Sequence, residues 1–228
     1  MTRIIACLLV CATFLVAALP ASSAPITVPT DLNPGDQYRL AFVTSTRRDA
    51  TSTNIADYNA FVTGLANSVP ELLALGTNWT AIASTETVDA RDNTGTNPTV
   101  STGVPVYRLD DTRIANNNTD LWDAAIAAPL TVTEAGLPAT GDFLVWTGTD
   151  TSGLADFPLG IANFGSRIGS RFDADSKWIS ITTGDKTLPF QLYAISAPLA
   201  VVPEPSALAL AAFGFVALTV LRWRRRCA

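Results

Sequence analysis

Residues 38–66 read YRLAFVTSTRRDATSTNIADYNAFVTGLA, and the hydrophobic period changes partway along. From Tyr38 to Thr46, Tyr38, Leu40 and Phe42 fall two apart, so one face of a strand is apolar. After Thr53 and Asn54, either of which can cap a helix, Ile55, Tyr58, Phe61, Val62 and Leu65 fall on one helical face. Pro70 to Leu75 continues the pattern as a short helix opened by proline and stopped by Gly76.

Downstream the texture changes. Trp79 to Ser84 reads as a strand, Asp89 to Thr102 as a polar loop, Val104 to Leu109 as a strand and Asp110-Asp111 as a turn. Asp120 to Asp123 suits a helical turn, and Phe143 to Trp146, Trp178 to Thr182 and Phe190 to Ser196 read as short strands. Helices early and strands late predict an α+β domain with a mostly antiparallel sheet.

The ends of the 228-residue chain differ from this middle. Arg3, the apolar run Ile4 to Leu19, Pro20 and small residues around Ser23 and Ala24 predict a signal peptide over 1–23, cut between Ser23 and Ala24. Ser206 to Leu221 carries no charge and is closed by Arg222, Trp223, Arg224, Arg225 and Arg226. As a helix over 206–223 it would span about 27 Å, enough to cross a hydrocarbon core near 30 Å. The arginines would stay on the cytoplasmic side, which places residues 24–202 outside, in agreement with the signal peptide.

Pro203-Glu204-Pro205 stands directly before that apolar run. Two prolines keep the backbone extended where a membrane-embedded enzyme could reach it. In this order, Pro-Glu-Pro, apolar helix and arginine cluster resemble the PEP-CTERM sorting signal of exported proteins from Gram-negative bacteria that make exopolysaccharide. The resemblance implies recognition by an exosortase, which cuts near the motif and delivers the protein to the cell surface or extracellular matrix. Residues 203–228 are then the sorting segment, with Pro203, Glu204, Pro205, Arg222, Arg224, Arg225 and Arg226 as its site residues.

Removing Arg3 and the four C-terminal arginines leaves 10 basic residues, and removing Glu204 leaves 19 acidic ones, so the middle carries a formal charge of about −9. That surface repels phosphate backbones, so no nucleic-acid partner is expected. The chain has no histidine, and its three cysteines, Cys7, Cys11 and Cys227, all lie in the end segments. Disulfides, Ser-His-Asp and Cys-His catalysis and His- or Cys-based zinc sites are thereby excluded from the domain. No cofactor is expected. The places where a structural calcium would sit are two oxygen-rich loops, Asp89, Asp92, Asn93 and Asn97 in one and Asn116, Asn117, Asn118 and Asp120 in the other.

Gly103 to Tyr107, Asp120-Leu121-Trp122, Val145 to Asp150 with Gly153, and Trp178 before a closing strand are similar in order and spacing to the C-type-lectin-like fold, most closely its endostatin-type collagen domains. The resemblance implies a core packed by aromatic residues and a "W-x-G" element, here Trp146 and Gly148. The calcium-dependent sugar motifs of that fold are absent, so carbohydrate binding does not follow from it. Trp79, Trp122, Trp146 and Trp178 stand among apolar or β-forming neighbours and are expected in the core. Two readings of function remain. One is a non-catalytic binding or structural protein of the surface, meeting a glycan or another matrix protein. The alternative is a hydrolase of matrix polysaccharide using a pair of carboxylates. A permanently anchored structural protein is a third.

Overall fold

The computed structural model describes residues 24–162 and 165–202. The predicted signal peptide over 1–23, the sorting residues and the apolar run 206–223 lie outside the described residues. Among the described residues no helix is long and apolar enough to cross a membrane.

Strand β1 (Gln37–Val43) occupies the middle of the sheet. The alternation puts Tyr38, Leu40 and Phe42 into one hydrophobic cluster as expected, but Ala41 and Val43 enter a second cluster on the opposite face. A strand buried on both faces explains why this segment is apolar at nearly every position. Strand β8 (Gln191–Ser196), antiparallel to β1, divides in the same way, with Leu192 and Ala194 on the first face and Tyr193 and Ile195 on the second.

Helix α1 (Ile55–Asn67) begins where expected: Asn54 is its N-cap and accepts from the Ala56 N–H. It buries Tyr58, Val62 and Ala66 and packs on β2 (Trp79–Ala81), which pairs with β8. Burial pushes the Tyr58 phenol up to about 12, against the pull of the Arg48 guanidinium 4.3 Å from its ring. Arg48, a charged residue just past β1, is therefore part of the packing. Helix α2 (Pro70–Leu73) follows, and Gly76 at φ +58 ends this helical region.

The polar stretch 89–102 is not loop throughout, for α3 (Ala90–Asn93) turns within it and buries Ala90. Strands β3 (Val106–Arg108) and β4 (Arg113–Ala115) form a hairpin across the Asp110–Asp111 turn. Helix α4 (Asn118–Leu121) follows directly. Strand β5 (Leu144–Trp146) pairs with β6 (Ser166–Ser170), and β6 with β7 (Thr182–Gly184). Trp178 to Thr182 is not a strand: Ser176–Trp178 is a 3-10 turn capped by Asp175, and extended pairing begins only at Thr182. The turn drives the Trp178 indole into the second cluster beside Trp122 and Tyr193.

The strand order is β4-β3-β1-β8-β5-β6-β7, with β2 on β8 and a last strand, β9 (Leu199–Ala200), on β1. Six of the eight described pairings are antiparallel; β1 with β3 and β5 with β8 are parallel. The domain is thus a mixed α/β structure in which sheet predominates and helices are few. Strands β4, β6 and β9 have no counterpart in the sequence reading. Arg113-Ile114-Ala115 and Ser166 to Ser170 are short and mixed in polarity, and their neighbours make them strands.

Candidate functional site

The best-defined site is the place where the fold meets the C-terminal segment. Strand β9 pairs antiparallel with the start of β1, Leu199 opposite Tyr38 and Ala200 opposite Gln37. Beyond it the Val201 N–H donates to the Asp36 carbonyl and the Val201 carbonyl accepts from the Gly35 N–H, both at 2.9 Å. Gly35 sits at φ +95 in the tight turn of Asn33 to Asp36, a conformation that favours glycine. Val201 is 8 % exposed and Val202 is 77 % exposed. Pro203 and Pro205, which lie outside the described residues, have no N–H to donate to a further rung of the ladder.

Beside this exit lies an apolar cavity of about 580 Å³, lined chiefly by Val28, Leu32, Pro34, Leu75, Leu199 and Val201. Tyr38 also faces it, its hydroxyl donating to the Thr27 carbonyl at 2.6 Å, and burial pushes that phenol above its ordinary value. Val28 and Leu73 are large apolar side chains open to solvent at 46 % and 56 %. Asp31, Asp36 and Glu71, in the segments around them, are exposed and acidic. Desolvation pulls the Asp31 carboxyl up, but the Tyr107 hydroxyl and the Arg113 guanidinium, at 3.2 and 2.5 Å, outweigh it and hold it below its usual range.

The other candidate residues are dispersed. In the first oxygen-rich loop, Asp89 accepts from the Ala155 N–H, Asp92 from the Asn97 amide, and Asn93 turns inward to Asn59 and the Ala81 carbonyl. In the second, Asp120 accepts from the Asn116 backbone and side chain, Asn117 caps α4, and the Asn118 amide donates to Ser101. Most of these side chains bond to groups within the fold, while the Asn118 Oδ1 is buried without a hydrogen-bond partner among the described residues. Among the described residues no three acidic side chains come together as a metal-binding group.

Carboxylates elsewhere do similar work. Asp49, Asp150, Asp175 and Asp185 each accept from the backbone N–H two residues on. Glu134 is buried and accepts from the Ser45 N–H and hydroxyl, tying its loop to the end of β1. Glu71 and Glu86 are exposed.

All four domain tryptophans are in the core, as expected. Trp79 packs 5.1 Å from Phe42 and Trp146 4.8 Å from Phe190, ring centroid to centroid. The aromatic rings that do face solvent include two that sequence reasoning passed over. Phe143 and Phe172 stack at 6.5 Å with an interplanar angle of 24°, and the buried Arg171 lies 4.2 Å from the Phe172 ring. Nothing in the local sequence distinguishes them from core phenylalanines; β5 and β6 bring them together.

Of the predicted processing residues, Ala24 is the first described residue and is exposed, while Ser23 lies outside the described residues. Pro203, Glu204, Pro205, Arg222, Arg224, Arg225 and Arg226 lie outside them too, but all seven fall within a match to a known motif. No curated protein matches the chain. The PEP-CTERM protein-sorting motif matches residues 201–226, beginning at Val201, the last of the described residues to hydrogen-bond with the domain. The chain therefore carries a PEP-CTERM sorting signal, the mark of a secreted, cell-surface-destined protein that an exosortase processes at the membrane.

Proposed function

We propose that residues 24–202 form a non-catalytic binding or structural module of the C-type-lectin-like type, working in the exopolysaccharide layer of a Gram-negative cell after its sorting segment is cut away. The observation that carries the non-catalytic reading is the use of the carboxylates: those in turns cap backbone N–H groups, and buried Glu134 is held by Ser45. A glycosidase needs two carboxyl groups facing each other across a scissile bond, free to exchange protons. The lectin-like reading is supported by Trp146, buried at the end of β5, and by Gly148 two residues on at φ +63. A Cβ on Gly148 would stand 2.5 Å from the Ser84 carbonyl oxygen, so the turn after the tryptophan requires glycine. The solvent-facing Phe143–Phe172 pair supports a glycan as ligand, since sugar rings pack against aromatic faces.

A glycan array and a surface-protein pull-down on residues 24–202, with and without calcium, test the reading. Retention of a glycan or a defined protein without turnover is the expected result. Polysaccharide cleavage that vanishes when one Asp or Glu is replaced would establish the hydrolase instead. Mass spectrometry of surface material should find a chain lacking Arg224 to Ala228. Finding that tail intact in surface material would identify a permanently anchored protein.

A further inference from the structure

From the cavity and the chain exit beside it, we infer that the face around Val28, Leu73, Leu75 and Val202 rests on the outer surface of the bilayer until the exosortase cuts, and that cutting frees it. The inference rests on reading residues 206–221 as bilayer-crossing, and it adds which side of the domain meets the lipid and what the apolar cavity is for.

The chain is fastened to the sheet as far as Val201, by β9 and by the paired hydrogen bonds to Gly35 and Asp36. The uncharged run starts at Ser206, so only residues 202–205 lie between the fastened chain and the segment destined for the hydrocarbon. Four residues reach at most about 14 Å when fully extended. The headgroup layer takes about 6 Å of that. What remains is less than the radius of gyration of a 180-residue domain, about 16 Å. The domain cannot turn its exit point away from the membrane.

The surface at that exit suits the position. Val28 and Val202 are exposed apolar side chains that line the cavity, and Leu73 is exposed at the end of α2 just before the lining residues Ala74 and Leu75. The cavity between the N-terminal segment, the end of α2 and β9 is lined mainly by aliphatic residues. In water such a surface is a liability; at the headgroup–acyl boundary it is matched. Asp31 is paired with Arg113, and the remaining acidic residues Asp36 and Glu71 select against anionic lipid, so the contact is with neutral or zwitterionic headgroups. An apolar patch this small binds weakly by itself. The tether supplies the effective concentration that keeps it engaged, and cleavage removes the tether. Sorting and release from the lipid are then one event.

The test uses the full chain, exported and purified from a host without an exosortase, carrying Cys227→Ser and either Leu73→Cys or Thr183→Cys with an environment-sensitive fluorophore on the new thiol. Thr183 is exposed on β7, four strands from β1 in the sheet order, about 19 Å away at the usual strand spacing. In phosphatidylcholine vesicles holding nitroxide-labelled lipid, the label at position 73 is expected to lose about half its intensity while the label at 183 is unaffected. Exchange of phosphatidylcholine for phosphatidylglycerol should weaken the quenching. Equal and negligible quenching at both positions, in chains that resist alkaline extraction, overturns this proposal alone. Chains that alkaline extraction releases overturn the bilayer-crossing reading and this proposal with it. A label at 73 that self-quenches in proportion to protein density but ignores the nitroxide would show a second copy covering the face, and also overturns it.

Discussion

At the scale of single residues, Arg39 shows how much a buried charge can do by donating to backbone carbonyls. It stands on β1 between apolar neighbours, 6 % exposed, and its guanidinium donates to the carbonyls of Thr94, Ser196 and Gly95 at 2.8 to 3.1 Å. Burial lowers its affinity for the proton, yet an arginine keeps its charge even so. It thereby joins the 89–102 segment to β1 and to the end of β8. Arg39→Ala would remove the guanidinium from the buried Thr94 and Ser196 carbonyls and from the more open Gly95 carbonyl, at a cost of about 2 kcal/mol. A urea midpoint reduced in proportion is the expected result; an unchanged midpoint would mean water replaces the guanidinium. Legibility at this scale was uneven. Tyr38, Leu40 and Phe42 were readable as a core face from spacing alone, because a period of two is a local property. The roles of Arg39, Arg48 and Phe172 were not, since each depends on a contact with residues remote in the chain.

At the scale of elements, those with a chemical punctuation mark were legible. Asn54 caps α1, Pro70 opens α2, and the Asp110–Asp111 turn joins β3 to β4. Trp178 to Thr182 misleads because its aromatic and β-branched residues favour a strand, whereas the Asp175 side chain bonds to the Lys177 N–H and nucleates a 3-10 turn. The turn after β5 is the most constrained of these elements. Gly148 has a positive φ, and a Cβ there would lie 2.5 Å from the Ser84 carbonyl oxygen and 2.8 Å from the Leu159 nitrogen. Gly148→Ala therefore meets both backbone strain and a collision with main chain, and a loss of more than about 2 kcal/mol is expected. Thermal unfolding measures it; a melting temperature within about a degree of the parent would show that the turn can shift.

At the scale of the whole molecule, the first and last strands of the domain are neighbours. Strand β1 is held by both β8 and β9, so the chain leaves the fold beside the place where it entered the sheet. A chain ending at Val202 keeps every hydrogen bond of β9 and Val201, and its stability should equal that of the processed domain. A chain ending at Pro198 loses the pairing of Leu199 and Ala200 and uncovers Tyr38, and should unfold at a lower temperature. Calorimetry on the two chains decides it, and equal melting temperatures would show that β9 is an ornament of the exit. If β9 contributes as expected, exosortase cleavage after Val202 is harmless to the fold, while cleavage a few residues earlier is not.

What the sequence determined by itself was the sorting segment and the class of the domain. Pro-Glu-Pro, an uncharged run and arginines carry their meaning in linear order, because recognition of that kind depends on polarity along one strand of chain. Period-two and period-3.6 patterns are local in the same sense, and they were enough for a mixed domain of short strands. Only the tertiary structure decided that both faces of the sheet are buried, that two pairings are parallel, that Asp89 reaches the Ala155 N–H and Asn93 reaches Asn59, and that β9 carries the fold to the edge of the motif. Each of those is a relation between residues distant in the chain, set by which surfaces must be hidden from water together, and no stretch of sequence contains it alone.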